Sequence, residues 1–169
     1  MSTPSAVTPV APDAFPTFGA MLRIVLQHVR GQMLRAIHEA GFTDFQEAYF
    51  GIFSYPLPDG SRPAELARQK RMSRQAINYL LAQLEKLGYV ERRASEGSER
   101  RLVYLSLRGL KVAEVMFACL RQLHADWAGH VGVERFEAFV EVLRALSAKA
   151  QAEAGDDPPG SPPDLPPWK

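Results

Sequence analysis

The chain has 169 residues, 46% of them hydrophobic and 23% charged, enough for one domain with a real core and the balance of an ordinary soluble globular protein. It contains no apolar run of the roughly 20 residues that a membrane span needs, and it does not open on a basic start followed by an apolar stretch, so membrane insertion and secretion are not expected. The net charge of +1 hides a strong asymmetry: Arg62 to Arg108 holds 11 Lys and Arg against 5 Asp and Glu, a net of +6, which leaves 9 against 14, a net of −5, elsewhere. A basic block confined to the middle third is the electrostatic footprint of a nucleic-acid contact surface, although a solvated basic face has the same composition.

Residues 1–16 carry four prolines and little apolar periodicity, and read as a flexible arm. From Phe18 to Ala40, Leu22, Val25, Leu26, Val29, Met33, Ala36, Ile37 and Ala40 recur at spacings of three and four, which predicts a long amphipathic helix closed by Gly41. Thr43 followed by Gln46 has the form of a capping box and predicts a second helix to about Phe53, stopped by Pro56 and Pro58. Pro63 suits the first turn of a short third helix over Ala64–Gln69. Ser73 is a good N-cap for a fourth, with Ile77, Leu80, Leu81, Leu84 and Leu87 on its buried side and Gly88 as its C-cap.

Tyr89–Arg93 and Arg101–Leu107 then read as two strands joined by a polar turn over Ala94–Ser98. Ser106 caps a fifth helix with Val112, Val115, Met116, Cys119, Leu120, Leu123 and Trp127 in its apolar stripe, broken by Gly129 and Gly132. A sixth follows, with Val133, Phe136, Phe139, Val140, Leu143 and Leu146 facing inward. The tail over 155–169 has six prolines and reads as disordered.

The expected fold class is therefore mainly α: a winged helix-turn-helix with a two-stranded β-wing over 57–107, flanked by N- and C-terminal dimerisation helices over 17–56 and 108–154. The flanking helices carry more apolar surface than a compact winged helix covers alone, which argues for a dimer interface built from both termini. In a helix-turn-helix the second helix enters the major groove by its N-terminal residues. With Leu66, Ala67, Ile77 and Leu80 locking the two helices together, the helical period leaves Arg74, Gln75, Asn78 and Tyr79 facing outward. Arginine makes paired bonds to guanine, and Gln and Asn do so to adenine. Two roles fit Tyr79, a base or phosphate contact and packing on the wing. Ser73 at the helix start is placed to bond a phosphate. Glu99, Arg100 and Arg101 lie at or near the wing tip, where an arginine enters a minor groove or holds phosphates. Arg62, Arg68, Lys70, Arg71, Arg92 and Arg93 add backbone contacts that position without specifying.

The run RPAELARQKRMSRQAINYLLAQLEKLGYVERR, followed by RRLVYLSLRG, resembles the MarR (multiple antibiotic resistance regulator) family of bacterial transcription factors. The resemblance spans about Phe18 to Ala154, so the domain organisation becomes an arm over 1–16, a MarR-like domain over 17–154 and a tail over 155–169. The family's pattern falls on Leu66-Ala67, Ser73, Leu84-Glu85, Gly88 and Leu105-Ser106-x-x-Gly109. Its usual Asp-x-Arg wing element is replaced here by Gly97-Ser98-Glu99, so Arg100 or Arg101 stands in for the missing arginine. The resemblance implies a homodimer on a pseudo-palindromic double-stranded DNA operator, often a repressor released by a small aromatic or apolar effector. It also implies an effector pocket near Tyr49, Phe53 and Tyr55, residues that core packing explains equally well.

Cys119, in an apolar stripe, reads as a buried small hydrophobe, and as the chain's one cysteine it forms no internal disulfide, which suits the cytoplasm. His28, His38, His124 and His130 have no metal-site spacing, and no phosphate-binding glycine loop, nucleophile elbow or catalytic carboxylate pair stands out. No metal, cofactor or enzymatic activity is expected. A winged-helix protein–protein adaptor and a small-molecule-binding protein without DNA function stay open as alternatives.

Overall fold

The computed structural model describes residues 17–53, 60–70, 72–94 and 101–153. In chain order these form α1 (Phe18–Glu39), a 3-10 turn (Glu47–Tyr49) running into α2 (Phe50–Phe53), α3 (Pro63–Gln69), α4 (Arg74–Lys86), β1 (Val90–Ala94), β2 (Arg101–Leu105), α5 (Leu107–Val131) and α6 (Val133–Glu153). The fold class is the expected one, mainly helical with a two-stranded antiparallel sheet. The expected arm and tail, Tyr55, Arg71 and the wing-tip residues Gly97, Ser98, Glu99 and Arg100 lie outside the described residues.

Several ends were set by local chemistry. Pro63 occupies the first turn of α3, where a missing N–H costs nothing. Ser73 caps α4, its Oγ accepting from the Ala76 N–H at 3.1 Å, and Ser106 caps α5, its Oγ accepting from the Gly109 N–H at 3.0 Å. Helices α1 and α4 close by the same device: Gly41 (φ +94°) and Gly88 (φ +77°) take the left-handed conformation, and the next residue's N–H reaches back to Ile37 and Leu84 respectively.

Other expectations fail where tertiary contacts override local pattern. Thr43 and Gln46 form no capping box; the N-cap position falls on Gln46, which makes no side-chain cap bond, and only a 3-10 turn follows. The reason is Phe45, buried to 1% exposure in a ring cluster with Tyr49, Phe50, Phe53 and Tyr89 at centroid distances of 5.1–5.5 Å. The second strand stops at Leu105 rather than Leu107, which is 81% exposed as the first residue of α5. Gly129 lies inside α5, and the chain breaks only at Gly132. A helical glycine costs about 1 kcal/mol relative to alanine, and packing of α5 against α1 and α6 offsets it.

The core sits between α2, α4, the sheet and the first half of α5, with Ile77, Leu81, Leu84, Val103 and Val112 all at 0% exposure. Each such aliphatic side chain contributes about 1.5–3 kcal/mol by leaving water. Helix α1 follows its expected stripe only from Val29 onward: Met33 and Ile37 are buried, while Leu22, Val25 and Leu26 are exposed. In α6 Phe136 is buried, but Val133, Phe139 and Leu146, expected inside, are exposed. Among the described residues α6 packs on α5, a contact that buries Phe136 and partly covers Val140 and Leu143.

Candidate nucleic-acid interface

Helices α3 and α4 pack together through Leu66 and Ala67 on one side and Ile77 on the other, with Leu80 partly buried beside them. That lock orients α4 as expected: Ser73, Arg74, Gln75, Asn78 and Tyr79 are all exposed, Tyr79 to 68%. The Ser73 oxygen is engaged in the cap, and its own O–H keeps the capacity to donate to an anion at the helix start.

The wing is a ladder in which Val90 faces Leu105, Arg92 faces Val103 and Ala94 faces Arg101. Sequence reading missed a further bridge. Ser61, just before α3, exchanges two backbone bonds of 2.9 Å with Val103, so the segment entering α3 is pinned to β2. A single residue leaves no alternating pattern by which this bridge shows in a sequence.

This pinning brings three predicted arginines together. A cleft of about 440 Å³ is lined by Arg62, Pro63 and Ala64 from the start of α3, Arg74, Ile77 and Asn78 from α4, and Arg101 from β2. Arg62 and Arg101, at the N-cap of α3 and the start of β2, are exposed. Three arginines from three elements line it, and each guanidinium carries five N–H donors and a permanent charge. A concave, cationic cleft with an amide beside it concentrates positive potential and suits a phosphodiester or a base edge.

Not all of the basic block is disposed this way. Arg92 is half-buried with its Nε 3.3 Å from the Glu85 carboxylate, and Arg93 pairs with Glu91 while its guanidinium lies 5.4 Å over the Tyr104 ring. Their charge is in part neutralised by Glu85 of α4 and Glu91 of β1. Lys70, half-buried at the turn after α3, has its ammonium pushed down to about 8 by desolvation. Of the predicted effector-pocket residues, Tyr49 and Phe53 are 3% and 2% exposed with their rings packed on Phe45, the core-packing arrangement. Cys119 is half-buried, and burial raises its thiol above the usual range. Among the described residues no cluster of His, Cys, Asp or Glu is placed to hold a metal ion, and no helix is long and apolar enough to cross a membrane.

A short helix locked to an exposed second helix, followed by a two-stranded hairpin, defines a winged helix-turn-helix protein. Residues 57–101 match the model of the MarR family. A MarR family protein of Mycobacterium tuberculosis, solved in complex with salicylic acid, is 30% identical over 81% of this chain and 99% of its own, with a TM-score of 0.56. The chain belongs to the MarR family of transcription regulators. Another MarR family transcription regulator superposes with a TM-score of 0.61 at 22% identity, covering 81% of this chain and 87% of that one. A MepR mutant of S. aureus bound to an oligodeoxyribonucleotide superposes with a TM-score of 0.50 at 17% identity, covering 80% of this chain and 99% of its own. No curated protein matches the sequence.

Proposed function

We propose that this chain is a cytoplasmic, homodimeric, sequence-specific DNA-binding repressor, with residues 57–107 reading the duplex and 17–56 and 108–154 forming the dimer. The observation that carries the proposal is the cleft lined by Arg62, Arg74, Asn78 and Arg101 beside the exposed face of α4. Arg74, Gln75 and Asn78 read base edges in the major groove, with Tyr79 at the rim of the same face. Ser73 and Arg62 hold phosphates, and Arg101, with Arg100 beside it in sequence, serves the wing in the minor groove or on its phosphates. Arg92 acts through the wing it braces rather than by a direct contact, given its pairing with Glu85.

The dimer is supported by apolar side chains that the described residues of one chain leave uncovered: Phe18, Ile24 and Leu26 of α1 are 64%, 54% and 52% exposed, and Val142 of α6 is 55% exposed. Burying such surface at roughly 25 cal/mol per Å² is the main drive for obligate association. Release by a small aromatic effector is supported by the salicylic acid complex of the M. tuberculosis relative. In this chain such a ligand has to displace Tyr49 and Phe53 from their packing on Phe45 or bind beside them.

Titration of random-sequence duplex with the full chain across a salt series tests the DNA surface. The wild type is expected to bind with log K falling by roughly 0.9 per phosphate contact for each log unit of salt. The variant carrying Arg62→Ala, Arg74→Ala and Arg101→Ala should have a salt slope smaller by about two or three such contacts. An unchanged slope in a folded variant refutes the assignment of the cleft.

A further inference from the structure

We propose that Asp44, Tyr89 and Arg108 form a clamp that fixes the angle between α1 and the DNA-reading unit, making Asp44 and Arg108 positioning residues for operator spacing. The inference rests on the dimeric DNA-reading function proposed above. The three side chains come from three places: the loop after α1, the junction of α4 and β1, and the first turn of α5. The Arg108 Nη2 donates to both oxygens of Asp44, at 2.8 and 2.9 Å, and lies 3.2 Å from the Tyr89 hydroxyl, which itself donates to Asp44 at 2.5 Å. The Arg108 guanidinium also lies 4.6 Å over the Tyr89 ring and 5.9 Å from the centre of the Phe42 ring. Charge-assisted bonds of this kind are directional as well as strong.

What the clamp joins is decided by the contacts around it. The end of α4 is already fastened to α5: Ser106 donates from its N–H to the Tyr89 carbonyl and from its Oγ to the Gly88 carbonyl, at 3.1 and 2.5 Å. Gly109 lies so close to the Tyr89 carbonyl oxygen that a Cβ there falls 2.1 Å from it. The loop after α1 is fastened to α1 in turn, by the His38 ring 2.8 Å from the Phe45 carbonyl. Asp44 is the charged link between these two assemblies, and the apolar links are the Phe45–Tyr89 ring contact at 5.5 Å and the packing of α1 on α5. Apolar contacts tolerate sliding, whereas an arginine held by two oxygens and a hydroxyl defines an angle.

Partial exposure argues against a role in stability alone. The Asp44 and Arg108 side chains are 37% and 42% exposed, and pairs in such settings contribute about 1 kcal/mol or less. A dimer meeting two half-sites on one duplex, however, amplifies any change of angle into a mismatch of half-site spacing.

Two readouts test the clamp in the full chain, one of which needs no DNA. Spin labels at Arg35→Cys and Ala82→Cys, both exposed, in a Cys119→Ser background diluted with unlabelled protein, report the distance between α1 and α4. Wild type is expected to give one narrow distribution, Asp44→Asn and Arg108→Ala a broad one, and the exchanged pair Asp44→Arg with Arg108→Asp a narrow one again. On duplexes with two half-sites at graded spacing, the same single variants should lose most of a preference of roughly tenfold, the size of an ordinary coupling between sites, and the exchanged pair should regain it. Narrow distributions in the single variants overturn the clamp, whatever their melting temperatures. Broad distributions with intact spacing preference overturn its role at the operator. A wild type that binds duplex without any spacing preference defeats the dimeric reading instead, while the label distances still decide whether the clamp exists.

Discussion

Arg74 carries the most specific burden in this account, because it stands at the first position of α4, on the face left over once Ile77 is buried, and also lines the cleft with Arg62 and Arg101. Arg74→Ala is expected to weaken binding to the preferred operator by about 1–3 kcal/mol, while binding to random duplex falls far less; anisotropy titrations on both duplexes separate the two, and equal losses refute base reading. Gly109→Ala should destabilise the fold by about 1–3 kcal/mol or more, since its Cβ meets a backbone oxygen that no rotamer change can move; a urea midpoint within error of wild type contradicts this. Arg74 and Asp44 mark how far sequence reading reaches. Arg74, Gln75, Asn78 and Tyr79 were legible because helical periodicity turns a list of buried partners into a list of exposed ones. The bonds of Asp44 were not, because Arg108 lies 64 residues away and neither residue belongs to a periodic pattern.

At the scale of elements, chemistry within four residues predicted ends well. Ser73 and Ser106 cap, Pro63 opens a helix, and Gly88 closes one, all from bonds made inside a single turn. Ser73→Ala is expected to cost about 1 kcal/mol of stability through the lost cap, measurable by chemical denaturation. The 43–46 segment defeated the same reasoning, since burial of Phe45 and capture of Asp44 outweigh a capping box worth about as much as one cap.

The clamp across these elements has a pH signature. Burial works to raise the Asp44 carboxyl, but the Tyr89 hydroxyl and the Arg108 charge together hold it below its ordinary value of 3.8. A carboxyl with a depressed folded value stabilises fully above the unfolded value and loses that contribution as pH falls through the folded one. The stability gap between wild type and Asp44→Asn should therefore be flat from about pH 5 to 8 and shrink below about pH 4. Tyr89 acts at the other end: burial, and then its bond to Asp44, push its hydroxyl up to about 12, so stability should decline as pH rises from 10 towards that value. A gap that does not shrink as pH falls below about 4 contradicts the Asp44 assignment.

For the whole molecule the decisive feature is apolar surface that the described residues of one chain leave uncovered. Leu22, Val25 and Leu26 continue the stripe that buries Met33 and Ile37, and Val142 and Leu146 lie on a helix whose partner within the chain is α5. Sequence patterning located these residues but could not say whether the covering surface lies within the chain or on another, because periodicity marks an apolar face and not its partner. Leu26→Glu with Val142→Glu is expected to convert a dimer into a monomer by light scattering, and to weaken operator binding by removing the second half-site. A wild type that is monomeric at micromolar concentration contradicts that expectation.

The most direct test of the central claim, that α4 of a dimer reads base sequence, is selection of bound duplexes from a random library by the full chain. An enriched inverted repeat with half-sites about one helical turn apart is expected, and it should be lost from the enriched pool of an Arg74→Ala and Asn78→Ala variant. Recovery of sequences with no common motif, bound through salt-sensitive contacts alone, would contradict it and leave the cleft as a basic surface without a code.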